Sequence, residues 1–491
     1  MEKSSNGKIA RNTTLLTGAF IFQKVLSFFY FAYISRQLGS ESIGKYVWAL
    51  SFAGIFALFI EFGLGPVLTR EVSRDYSKAK EYLSSVLGIK LIFSAITVVA
   101  LILSAMAMGR GSLSMQIIFF AVAIIVLDSF TFSFYSIFRA YQKLHFEAIG
   151  LTIYQVIIVG FGIAGIIFGF SVIGVVVAVL LGSIFNFTYS LSLVVFKAKL
   201  HPRIKLNKKI VTLLLRIAIP FAIAGIFYKV NNEIDKVLLG ILAGDKYVGW
   251  YSIASKFNMS LTFIPGAFAT SFFPAMSRYF VTSKSELAHT FEKAMIYLMA
   301  VSLPIAAGSF VLAERIILKL YGPAFEASIV AFQIIISGLV FVFLNYPIGN
   351  FLNACNRQKL NTVNMGIATA VNIILNVVLI PKYTYIGASI AAVASAVTLI
   401  LLGMPWIGKI APYNKRLLLS KFIKLAFAST AMGVLLYLFR NEISILLLMP
   451  IGVVIYLFLI FAVRAVSLND MKSVFRAVFK KENAENTADN N

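Results

Sequence analysis

Along almost the whole chain, apolar runs close to the length of a membrane crossing alternate with short polar or Gly/Pro-bearing breaks. About 20 mostly apolar residues are needed to cross a hydrocarbon core. Segmentation on that basis predicts about fourteen helical spans, at roughly 13–35, 44–66, 82–107, 115–138, 148–169, 171–196, 213–236, 249–273, 290–312, 326–347, 363–381, 387–408, 421–439 and 444–463. The first run follows a basic segment and superficially fits a signal peptide. It is too long for one, carries Lys24 and lacks a small-x-small cleavage site, so it is read as a retained helix.

A repeat lies inside this pattern. Gly39, Ile43, Gly44, Tyr46 and Phe52 reappear as Gly244, Val248, Gly249, Tyr251 and Phe257, each pair 205 positions apart. The offset carries back into the preceding helices, where Phe22, Lys24 and Val25 fall on Phe227, Lys229 and Val230. A weaker echo follows at a shifted offset, Gln142-Lys143-Leu144 against Gln358-Lys359-Leu360. Six spans per half is an even number, so the halves are parallel, related by an axis along the membrane normal, as in transporters that work by alternating access. The chain then divides into an N-terminal lobe, 1–196 (helices 1–6), a basic linker, 197–212, and a C-terminal lobe, 213–408 (helices 7–12). Helices 13–14 lie within 409–466, and 467–491 is a cytoplasmic tail whose last residues, 482–491, are polar and expected to be disordered. The fold class is all-α integral membrane protein, two pseudo-symmetric six-helix lobes plus two C-terminal helices.

Composition fits a lipid-facing surface. Hydrophobic residues make up 59% and charged residues 13%, where a soluble domain is about half apolar and a quarter charged. The net charge of +24 would suggest nucleic acid in a soluble protein. Here about 30 Lys and Arg fall in connections on the side shared by both termini and about 8 on the other, the positive-inside pattern. Both termini are therefore expected in the cytoplasm, the protein in the cytoplasmic membrane among its lipids, and no nucleic acid as partner. The richest basic connection, Lys197, Lys199, Arg203, Lys205, Lys208 and Lys209, reads as an orientation signal touching anionic head groups. One cysteine, Cys355, excludes an internal disulfide, and His145, His201 and His289 lie apart in polar connections. Neither a metal site nor a Cys–His nucleophile is visible, and no catalytic residue is expected.

Leu38-Gly39-Ser40-Glu41-Ser42-Ile43-Gly44-Lys45-Tyr46, then Glu61-Phe62-Gly63-Leu64-Gly65 with Thr69-Arg70-Glu71, carry a resemblance. So do Ile234-Asp235-Lys236, Val248-Gly249-Trp250-Tyr251 and Phe263-Ile264-Pro265-Gly266 through Phe273-Pro274 and Ser277-Arg278. The chain resembles the polysaccharide-transporter branch, the Wzx-like flippases, of the multidrug/oligosaccharidyl-lipid/polysaccharide (MOP) exporter superfamily. The resemblance implies a flippase rather than an enzyme, moving a polyprenyl-diphosphate-linked oligosaccharide from the cytoplasmic to the outer leaflet. Its implied partners are the polymerase or glycosyltransferases of a surface polysaccharide pathway. Two alternatives stay open: a lipid II-type peptidoglycan precursor flippase, whose helices usually carry arginines where this chain has lysines, and a cation-coupled multidrug exporter. A membrane glycosyltransferase would need a large outer loop, and the outer connections are short.

Six cations lie within or at the edges of spans: Lys24, Lys90, Arg216, Lys229, Lys236 and Lys256. At mid-membrane each costs about 2.5–3.5 kcal/mol on insertion scales, so each asks for a partner or a purpose. Lys90 and Arg216 are within reach of the cytoplasmic interface, where they can snorkel. Lys24 and Lys229 sit near the middle of spans one and seven, where two ammonium groups facing a central cavity suit a diphosphate. The competing account pairs Lys229 with Glu233, four residues on, and Glu233 with Lys236. Lys256, opposite Ser51 in the repeat, either pairs with Asp235 or joins the cavity. Lys24, Lys229, Lys256, Asn232 and Glu233 form the candidate substrate site. Asp128, Glu61 and Asp235 are the candidates for H+ or Na+ coupling, with no other cofactor expected. Asp128 stands out because no cation lies within its span, whereas Glu61 also suits a structural cap or gate contact. Pro220, Pro265, Pro304 and Pro347 are expected to bend spans of the second half.

Overall fold

The computed structural model describes residues 2–204 and 206–465, so Lys205 and the tail 467–491 lie outside the described residues. Among the described residues every regular element is helical. The first half holds α1 (Glu2–Glu61), α2 (Leu64–Arg74), α3 (Ala79–Ala107), α4 (Ser112–Ala140), α5 (His145–Ile167) and α6 (Ser171–Ser192). Then follow α7 (Lys208–Leu242), α8 (Asp245–Leu261), α9 (Phe263–Thr282), α10 (Lys284–Val311) and α11 (Ala313–Tyr321). The chain continues through α12 (Ser328–Ser337), α13 (Leu339–Ala354), α14 (Gln358–Ile410), α15 (Lys415–Leu438) and α16 (Ile445–Ala462).

Polar residues set several helix starts. The side chains of Asn207 and Asn414 accept from Lys209 N and Leu417 N, and Ser283 accepts from Glu286 N, satisfying donors that the first turn leaves unpaired. Pro265 falls in the first turn of α9, where its missing N–H costs nothing, rather than inside a helix. Pro220, Pro304 and Pro347 do lie inside α7, α10 and α13.

Two helices are far too long for one crossing. At about 1.5 Å per residue, α1 and α14 would each run on the order of 80–90 Å, against a core of about 30 Å. Each is two crossings joined through a single non-helical residue, Gly39 (φ 76°) in α1 and Thr384 (φ 48°) in α14. Gly244, the repeat partner of Gly39, also has a positive φ, 111°, so the repeat preserves glycine where two spans turn tightly. Eleven stretches are long and apolar enough to cross a membrane, or twelve with the bent pair Asp245–Ala269 and Ser271–Thr282. Taking α1 and α14 as two crossings each brings the number to the fourteen read from the sequence. The weaker echo is corrected: the left-handed turn residues are Gln142 (φ 57°) and Asn356 (φ 59°), which aligns Gln142 with Asn356 rather than with Gln358.

The chain forms two compact units. One takes the residues up to Ser260 together with Leu320–Ala327 and Met365–Ala391; the other takes Leu261–Lys319, Ser328–Asn364 and the residues from Ala392 on. The core of the first unit includes Leu68 of α2, Leu83 and Val86 of α3, Phe138 of α4 and Leu214 of α7. In the second unit, Phe291 of α10 packs edge-on against Phe351 of α13 and Tyr413, and Tyr456 of α16 donates to the carbonyl of Ala300 at 2.8 Å. Large apolar side chains also cover the outside: Ile96 and Leu103 on α3, and Leu446 and Phe458 on α16, are each at least 60% exposed. Such faces are stable only against lipid.

Lys90 corrects the snorkelling expectation. It is fully buried, paired with Glu61 and donating to the Ser129 carbonyl at 2.6 Å and its hydroxyl at 3.0 Å. An ammonium that deep stays charged only where a carboxylate and hydrogen bonds replace its water.

Candidate functional site

Within the first unit, α1, α5 and α8 enclose a cavity of about 130 Å³, lined by Gln23, Lys24 and Ser27, by Gln155, and by Lys256 and Ser260. Helical spacing places these groups. Lys24 and Ser27 lie three apart on α1, and Lys256 and Ser260 four apart on α8, so each pair shares a face. Lys256 Nζ donates to Ser27 Oγ at 2.9 Å and lies 5.3 Å from the centroid of the Phe31 ring. Lys24 has neither a hydrogen bond nor an ion pair among the described residues. Two ammonium groups thus meet in one small polar space, with no carboxylate among the described residues in contact with either.

The neighbouring charges are arranged differently. Glu233 on α7 accepts from Lys229 at 3.1 Å, from Lys236 at 2.7 Å and from Ser51 Oγ at 2.8 Å. Lys24, Lys229, Lys236 and Lys256 against the one carboxylate of Glu233 leave three positive charges around the middle of the spans. The cation that joins Lys24 in the cavity is Lys256, while Lys229 is held by Glu233 as the local-pairing account expected. Asn232 is exposed, and its amide donates to the Tyr228 carbonyl one turn back at 2.6 Å.

Asp235 points elsewhere. It is buried, accepting from Tyr251 Oη and from Asn376 Nδ2, each at 2.7 Å, and Asn376 Nδ2 also meets Asn372 Oδ1 at 3.1 Å. Asn372 Nδ2 and Asn376 Oδ1 are buried without a partner. This is an oxygen-rich nest around one carboxylate with no ion-pair partner among the described residues, chemistry suited to a proton or a small monovalent cation. Lys256 does not pair with it. Asp128 lies beside Ser183 and Tyr154, again without an ion pair among the described residues, and Glu61 is the partner of Lys90.

Residues 9–280 match the family described as polysaccharide biosynthesis protein. The chain belongs to that family. Residues 220–378 also match the MatE family, and together the matches place the chain in the MOP superfamily. Among curated members, the probable low-salt glycan biosynthesis flippase Agl15 of Haloferax volcanii is 23% identical over 390 residues, 79% of this chain and 81% of the relative. The capsular polysaccharide biosynthesis protein CapF of Staphylococcus aureus is 24% identical over 402 residues, 79% of this chain and 96% of the relative. The solved structure of lipid II flippase MurJ in an inward closed conformation superposes with a TM-score of 0.76 at 18% identity, covering 91% of this chain and 98% of that one. At that identity the likeness establishes the fold of this family member.

Sequence reasoning missed Asn372, Asn376 and Gln155 at these sites. Two asparagines one helical turn apart inside an apolar span, each costly to bury, were the available signal for the first two.

Proposed function

We propose that this membrane protein, which is a transporter and not an enzyme, carries a polyprenyl-diphosphate-linked oligosaccharide from the cytoplasmic to the outer leaflet by alternating access, for surface polysaccharide synthesis. The observation that carries the reading is the cavity in which Lys24 and Lys256 converge with no neutralising carboxylate among the described residues. A diphosphate supplies the missing negative charge, and ammonium groups are compact donors to its oxygens. Organic cations would be repelled by the same site, which argues against drug export. No bond is made or broken: the protein's work is to replace the water around the diphosphate while the head group crosses.

The chain lies in the cytoplasmic membrane with both termini inside, a reading supported by the excess of Lys and Arg in connections on that side. The two lobes of the repeat, 1–196 and 213–408, are the moving parts. The nest at Asp235 is the coupling site, where a proton or Na+ binds one conformation better than the other and so biases the cycle. Asp128 is the second coupling position and Glu61 the third, its charge already matched by Lys90. The cargo reaches the protein from glycosyltransferases and leaves toward a polymerase of the same pathway.

The test is mass spectrometry of polyprenyl-linked lipids in cells with and without the protein, beside a stain for surface glycan. Build-up of a completed lipid-linked oligosaccharide with loss of surface polymer is expected, and accumulation of lipid II instead would select the peptidoglycan alternative. An unchanged lipid pool with new sensitivity to cationic drugs would overturn the proposal.

A further inference from the structure

Where the two halves of the repeat turn, their backbones cross almost in contact. A Cβ added at Gly44 would run into the carbonyl oxygen of Asp245, and one added at Gly249 into the carbonyl oxygen of Ser40. Ser40 and Asp245 are 205 positions apart, as are Gly44 and Gly249. The contact is therefore the same from both sides, in the way an isologous interface repeats itself about a two-fold axis. Glycine at both positions is what the approach requires.

Charge and ring contacts surround the crossing. The indole N–H of Trp48 donates to the Val237 carbonyl at 3.2 Å, and the ring fills the space a side chain at Gly240 would need. The guanidinium of Arg110 lies over that ring, 3.6 Å from its centroid, and Nη1 donates to Asp245 Oδ1 at 2.9 Å. Trp48 and Arg110 belong to the first half of the repeat, and Val237, Gly240 and Asp245 to the second. Both side chains of the ion pair are 13% exposed, beside a cavity of about 450 Å³ that Lys45 and Ser112 help to line. Asp245 precedes Lys256 by eleven residues, about 16 Å along α8, so the crossing lies beyond the cation cavity toward the end opposite the termini.

We propose that Arg110 and Asp245, seated on Trp48 and on the Gly44–Gly249 crossing, form a charge latch that holds the outer end of the transport path shut and must break each time cargo leaves. The inference rests on the alternating-access reading above. The division of labour has a physical reason. Backbone against backbone seals the path closely, so few side-chain links cross it: the Arg110–Asp245 ion pair, and Trp48 with its hydrogen bond to the Val237 carbonyl. Stacking on Trp48 keeps the guanidinium in place when Asp245 departs, so the pair can re-form without a search.

The test uses the full chain in right-side-out vesicles, with Cys355→Ala removing the native thiol and Ser260→Cys placing a reporter in the cavity. A membrane-impermeant maleimide is added outside. Arg110→Ala and Asp245→Ala are expected to label at least about fivefold faster than the parent, the lower end of usual coupling strengths. The exchange of Arg110→Asp with Asp245→Arg is expected to slow labelling again. Asp245→Asn keeps the side-chain shape should the alanine variant fail to accumulate. Gly44→Ala, whose methyl would collide with the Asp245 backbone, is expected to speed labelling with the charges untouched. Labelling unchanged in the single charge variants, or left fast by the exchange, overturns the latch. Lipid-pool mass spectrometry is read separately: faster labelling with a lipid pool indifferent to the protein leaves the latch standing and overturns the flippase reading.

Discussion

Four lysines inside the spans differ less in chemistry than in company. Glu233 holds Lys229 and Lys236, whereas Lys24 and Lys256 face a shared cavity with no ion pair among the described residues, Lys256 meeting a hydroxyl and a ring there. A hydrogen bond to a charged group contributes about 1.5–3 kcal/mol. Lys24→Glu and Lys256→Glu are therefore expected to cut transport about tenfold or more at equal protein level, and Lys229→Ala by less. Lipid-linked oligosaccharide in the inner leaflet is the measure, and equal effects from all three would remove the distinction. Cys355 is a second residue-scale case. It is buried, and burial pushes its thiol up to about 11 against the opposing pull of Lys284 and Arg357. The raised value keeps the thiol protonated at neutral pH, and the thiolate grows only as pH climbs toward 11. Maleimide should label Cys355 slowly at pH 7 in the native protein and fast after denaturation.

Elements are pinned by the few polar contacts their apolar surfaces allow. The pair Lys90–Glu61 ties α3 to the end of α1, and the Ser129 contacts add α4. Breaking a buried pair from one side typically costs about 3–5 kcal/mol, because the charge left behind has no water. Lys90→Ala should lower the thermal midpoint in detergent sharply, while Lys90→Met combined with Glu61→Gln should recover much of it. If the single and double variants melt alike, the pair is not what joins these helices. The same neighbourhood shows where sequence reading stops. The sequence puts Lys90 within reach of the cytoplasmic interface, and only its place well inside α3 and its full burial separate an internal ion pair from a snorkelling side chain. Spacing along one helix cannot show that Glu61 and Ser129 of two others converge on it.

For the whole molecule, the proposed cycle has one buried nest sensing an ion while another site holds the cargo. Asp235 and Lys236 are neighbours in the chain, yet one faces the amides of α14 and the other joins the Glu233 network. In reconstituted vesicles an imposed proton or Na+ gradient should accelerate lipid-linked oligosaccharide transfer, and Asp235→Asn should abolish that acceleration while leaving slower, gradient-independent transfer. Insensitivity of the parent protein to both gradients would make the nest structural.

The sequence by itself determined the number of crossings, the two breaks near Gly39 and Thr384, the repeat and the identity of the charged residues inside the spans. Each of these follows from local facts: hydropathy over about 20 residues, turn chemistry, and the cost of burying charge. Tertiary structure alone decided which charges are spent and which are free. Periodicity gives the face of a helix but not the residue on another helix that meets it, so Lys256 rather than Lys229 became the neighbour of Lys24. Likewise Gly44 and Gly249 are visible in the sequence as a repeated pair. Only the crossing of α1 and α8 shows that each leaves room for the other half's backbone.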